Sequence, residues 1–107
     1  MFMRVVELTA KEGNARELCN AIQEKALPIL RKHSPSVELI ACISQHDPEN
    51  VISISFWNNR REMERYQQED FTKIVQIVSD LLAGPPRVKI YNVATSSIRQ
   101  IATGRAA

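Results

Sequence analysis

Val51-Ile52-Ser53-Ile54-Ser55-Phe56-Trp57-Asn58-Asn59-Arg60-Arg61-Glu62-Met63 is a strand that runs through a short polar break into a helix. Alternation over Val51 to Trp57 gives the strand its two faces. Ile52, Ile54 and Phe56 form one face, wholly apolar. Val51, Ser53, Ser55 and Trp57 form the other, small and polar with one large aromatic at its end. The apolar face is expected to lie under the core helices. The second face is expected on the open side of the sheet, where it reads as a pocket wall. Asn58 or Asn59 can cap the helix that follows.

Working outward, Val37 to Gln45 is a second strand, with Val37, Leu39, Ala41 and Ile43 on one side. His46-Asp47-Pro48-Glu49-Asn50 is turn chemistry, so the two strands make a hairpin. Before it, Leu18, Cys19, Ile22, Ala26, Ile29 and Leu30 form a helical stripe. Asn14 and Glu17 have the spacing of a capping box, and Pro28 predicts a kink. Phe2 to Lys11 alternates as another strand, and Arg4 interrupts its apolar face. After Met63, Tyr66 and Gln67, the stripe Phe71, Ile74, Val75, Val78, Leu81 and Leu82 extends the second helical region, with a break at Glu69-Asp70. Gly84-Pro85-Pro86 ends it. Arg87 to Thr95 is the last strand, with Asn92 an odd amide on its Val88-Ile90-Ala94 face.

The order β-α-β-β-α-β makes this an α+β chain of the split βαβ, ferredoxin-like class: a four-stranded antiparallel sheet with helices on one face. Residues 1–96 form one domain, and 97–107 read as a loose tail. An apolar sheet face without helices calls for cover, and a second copy of the chain is the least demanding cover.

Composition narrows the function. The chain has 107 residues, 14 basic and 12 acidic, so no basic stripe for nucleic acid is expected. Arg60-Arg61 is followed by Glu62 and Glu64 and reads as a solvated helix face. There is no run of apolar residues long enough to span a membrane and no signal-peptide h-region, so a cytoplasmic protein is expected. Cys19 and Cys42 have no metal or disulfide spacing and read as packing residues. His33 and His46 are general-base candidates by residue type, but near loops and without visible partners they read as surface residues.

Three stretches resemble one family: Glu7 through Asn14-Ala15-Arg16-Glu17-Leu18, Val51 through Met63, and Gly84-Pro85-Pro86 with the strand after it. Together they are similar to the antibiotic biosynthesis monooxygenase (ABM) group of dimeric α/β barrels, over residues 3 to 95. The resemblance implies a homodimer paired through sheet faces. It implies oxidation of a phenolic or quinol-type aromatic by O2, with no metal and no cofactor. Members often carry a His nine residues after the strand-end Trp, and here that position is Tyr66. The missing imidazole argues against haem degradation. Members also often have a Gly between the first helix and second strand, where this chain reads His33-Ser34-Pro35-Ser36. The candidate substrate-binding residues are Trp57, Tyr66, Ser55, Phe71, Asn92 and Arg4. Arg4 would hold an anionic ligand or pair with a glutamate. The alternative is a non-catalytic small-molecule-binding or regulatory module on the same scaffold.

Overall fold

The computed structural model describes residues 1–98. The elements are β1 (Phe2–Thr9), α1 (Ala15–Ala21), a π-helical stretch (Ile22–Ala26), α2 (Leu27–His33), β2 (Glu38–Ile43), β3 (Asn50–Trp57), α3 (Arg60–Glu69), α4 (Phe71–Ile77), a short 3-10 turn (Ser79–Leu81) and β4 (Arg87–Asn92). Most of the expected 97–107 tail lies outside the described residues.

The strands form one antiparallel sheet in the order β2-β3-β1-β4. Helices cover one face, which is the ferredoxin-like arrangement expected. Among the described residues, no helix is long and apolar enough to cross a membrane.

Local chemistry explains the helix ends. α1, the π stretch and α2 run on as one rod. The kink expected at Pro28 appears as the π stretch just before it. Pro28 has no N–H to give to the preceding turn, and a wider turn absorbs the loss. Asn14 makes no side-chain cap and instead donates from Nδ2 to Glu17 Oε2 at 3.1 Å. Asn59 does cap α3, accepting from the Glu62 N–H at 3.1 Å. Arg60 pairs with Glu64 and lies over the Phe2 ring.

The faces of β3 are the reverse of the expectation. Val51, Ser55 and Trp57 are buried beneath the helices, while Ile52, Ile54 and Phe56 are half-buried on the opposite side. Register carries this across the sheet. Arg4 lies opposite Ser55, Val6 opposite Ser53 and Leu8 opposite Val51, all on the helix side. Alternation says which residues share a face, not which face the helices take. The hand of the strand-helix-strand crossover fixes that. Here the helix side needs small residues at Ser53 and Ser55 to admit aromatic rings from α3 and α4.

The outer face is therefore the apolar one. Val5, Ile54 and Ile40 lie side by side across three strands, flanked by Met3, Phe56, Ile52 and Cys42. Ile40 and Tyr91 are nearly half exposed there. Cys19 sits in the core as expected, but Cys42 is half-buried on this outer face.

Candidate functional site

The site grows from the helix side of β1 and β3. Arg4, near the start of β1, points into the core and is 3% exposed. Among the described residues it has no carboxylate partner, so the expected glutamate pair does not form there. Its Nη2 donates to Gln67 Oε1 on α3. Its guanidinium carbon lies 4.4 Å from the Phe71 ring centre and 5.1 Å from that of Tyr66. Its Nε is buried with no hydrogen-bond partner, the one such side-chain atom among the described residues.

Two rings lie against this cation, and two more pack on Tyr66. Trp57 is fully buried and stacks on Tyr66, with ring centres 5.6 Å apart. Its indole Nε1 donates to Ser55 Oγ at 2.8 Å. Phe71 meets Tyr66 edge-on at 6.3 Å, and His33 does so at 5.8 Å. Such contacts hold each ring in a defined orientation. Burial pushes the Tyr66 phenol up to about 12, although the Arg4 charge pulls the other way. Tyr66 is thus neutral at physiological pH and able to donate a proton in a hydrogen bond. Burial likewise lowers the Arg4 guanidinium from its ordinary value, opposed by Tyr66.

A cavity adjoins these groups between sheet and helices. Arg4, Ser53, Ser55, Tyr66 and Phe71 form its polar and aromatic end. Val6, Leu8, Ile22, Ala26, Leu30, Leu39, Ile74, Val75 and Val78 form the apolar remainder. Its volume is about 40 Å³, enough for roughly three waters. No lining residue is a carboxylate or an imidazole.

The structure brings Arg4, Ser55, Tyr66 and Phe71 together on this cavity, with Trp57 directly behind Tyr66 and Ser55. It does not bring Asn92 there. Asn92 is exposed at the end of β4, opposite Phe2. Sequence reading did not single out Gln67, whose pairing with Arg4 spans 63 positions and leaves no local signal.

His33 also departs from its expected surface role. Its side chain is only 8% exposed, and Nε2 lies 2.6 Å from Asp70 Oδ2. That hydrogen bond, followed by Lys73 at 3.3 Å, holds the Asp70 carboxyl below its ordinary value. The pair joins the end of α2 to the α3–α4 junction. Glu69 brings a third potential metal ligand within 4.8 Å of the others, but Lys73 supplies a cation to Asp70 already. His46 is exposed in the hairpin loop.

This sheet order and helix placement have solved counterparts. A monooxygenase of Streptomyces coelicolor, solved in complex with the ligand nanaomycin D, superposes with a TM-score of 0.74 at 16% identity, over 91% of this chain and 90% of that one. SnoaB, a cofactor-independent oxygenase of Streptomyces nogalater, gives 0.70 at 12% identity, over 91% and 96%. A further antibiotic biosynthesis monooxygenase gives 0.66 at 16% identity, over 89% and 100%. The fold is that of the antibiotic biosynthesis monooxygenases. At these identities the ABM likeness extends to the backbone and not to the chemistry of the site. No protein-family model matches the sequence. No curated protein matches it either.

Proposed function

We propose that this ABM-fold chain binds a phenolic or quinol-type aromatic beside Arg4 and oxidises it with O2 without a cofactor. The observation that carries the reading is the buried Arg4 charge, unpaired by any carboxylate among the described residues and set against aromatic rings at the end of an apolar cavity. Such a site favours the phenolate over the phenol, because a cation in a low-dielectric pocket stabilises a nearby anion. A phenolate is electron-rich enough to reduce O2. For a phenol with a free para carbon, a C–O bond forms at that carbon and the O–O bond then breaks. One oxygen stays as the quinone carbonyl, the other leaves as water, and the ring is oxidised. The cavity lining contributes no general base, so its part in deprotonation is electrostatic. Tyr66 donates to an oxygen of the bound ligand, and its neighbours exclude water.

The outer sheet face supports a second part of the reading, a homodimer paired through Val5, Ile40, Ile54 and Phe56. Contiguous apolar surface of this kind is a common mark of association. The narrow cavity favours one other reading, a binding module that holds a small ligand without turnover. For catalysis on a fused-ring substrate, the half-buried Phe71 and Val75 on α4 must move aside.

Oxygen uptake with naphthols and anthrones separates the two. The catalytic reading expects one O2 consumed per quinone formed, label from 18O2 in the new carbonyl, and a large loss in Arg4→Met and Tyr66→Phe. Uptake no faster than without protein across the panel would leave only the binding module.

A further inference from the structure

The residue that hydrogen-bonds Arg4 is neutral in a helix that carries charges of both signs. α3 and its junction hold Glu62, Glu64, Glu69 and Asp70 beside Arg60, Arg61 and Arg65, and the side chain that accepts from the guanidinium is Gln67. A guanidinium has only donors to offer, so the amide must present its oxygen, as it does. Glutamate at this position would reach the same atom and neutralise the charge as well. Glutamine orients Arg4 and leaves its charge uncompensated.

The surroundings indicate from which side a counter-ion arrives. Arg4 separates two cavities. The second, of about 110 Å³, is lined by Arg4, Met63, Glu64, Gln67, Gln68 and Ile90. That lining includes one acid, Glu64, paired with Arg60. The cavity beside Tyr66 and Phe71 has no acidic residue in its lining, and Arg4 Nε, buried and without a partner among the described residues, can still meet an acceptor.

We propose that Gln67 is a specificity-determining residue: it positions Arg4 while withholding a counter-charge, so that the site selects aromatic ligands carrying an anionic oxygen and refuses neutral isosteres. This rests on the binding half of the reading above and deepens it. Gln67 touches Arg4 rather than the ligand and acts as a positioning residue.

Calorimetric titration with 2-naphthoate and its neutral isostere 2-naphthalenemethanol tests the proposal. Wild type is expected to prefer the anion by about thirtyfold, the worth of one charge-assisted hydrogen bond. Gln67→Glu is expected to lose that preference while keeping its affinity for the alcohol. Gln67→Met is expected to keep a smaller preference for the anion, because Arg4 stays uncompensated but loses the hydrogen bond that orients it. A purely structural Gln67 predicts the opposite ranking, with Gln67→Glu close to wild type and Gln67→Met impaired. Equal affinity of wild type for both ligands, no binding of either, or that opposite ranking overturns the proposal. Oxygen uptake on 1-naphthol keeps the two ideas apart. Turnover without anion preference sinks only the role of Gln67. Anion preference without turnover sinks only the oxygenase.

Discussion

Arg4→Met should make the protein more stable and less able to bind its ligand. Arg4 is 3% exposed and its charge meets no carboxylate among the described residues. Desolvating a cation costs several kcal/mol, and the unpartnered Nε adds about 1–3 kcal/mol. Against this stand one hydrogen bond to Gln67, about 1.5–3 kcal/mol, and two ring contacts of about 0.5–2 kcal/mol each. Methionine keeps most of the apolar stem and fills irregular space well. The balance favours the variant by about 2 kcal/mol, which in a domain of this size raises Tm by roughly 10 °C. Urea unfolding gives the free energy directly, provided m is unchanged. Both proteins must be compared at one concentration, because the proposed dimer would make stability concentration-dependent. A site residue that lowers stability in the free protein is a common trade-off. Loss of more than about 1 kcal/mol in Arg4→Met would refute the reasoning. It would mean that the ring and amide contacts outweigh the buried charge, making Arg4 a structural keystone.

Other outcomes follow from the same geometry. Trp57→Phe removes the indole donor to Ser55 and part of a fully buried ring, and should cost about 2 kcal/mol in urea unfolding. Asp70 has a depressed folded pKa, so its contribution is present above its unfolded value near 4 and is lost as pH falls through the folded value. Asp70→Asn should accordingly lower stability at pH 7, and the difference from wild type should shrink as pH falls through the folded value, as read by thermal melts at a series of acid pH values. Ile54→Lys puts a charge at the centre of the outer face and should give a monomer by light scattering where wild type is a dimer. A monomeric wild type at micromolar concentration would contradict the sheet pairing.

Much of the fold was legible because its signals are local. Alternation located the strands, Asn59 and Gly84-Pro85-Pro86 bounded the second helical region, and Pro28 marked the irregular turn of the first. The side of the sheet that the helices take was not legible from β3 alone. Ile52, Ile54 and Phe56 are the more apolar set, yet they face outward, and only chain topology decides between the two sets. The site was partly legible. Arg4 stood out as a charge in an apolar strand, and Tyr66 and Phe71 fell on the helical stripe. The partners were not. Arg4 with Gln67 and His33 with Asp70 are pairs distant in sequence, and nothing in local composition links them. Asn92 stood out for a similar reason, but β4 ends there and leaves it exposed.

The atom that a bound ligand must meet is the buried Nε of Arg4, unpartnered among the described residues. Its N–H resonance can be followed by NMR while 1-naphthol is titrated under anaerobic conditions. A ligand oxygen accepting from Nε should move this resonance strongly downfield, with smaller shifts at Tyr66, Phe71 and Ser55. An unmoved Arg4 resonance, with shifts confined to Ile52, Ile54 and Tyr91 on the outer face, would contradict the account.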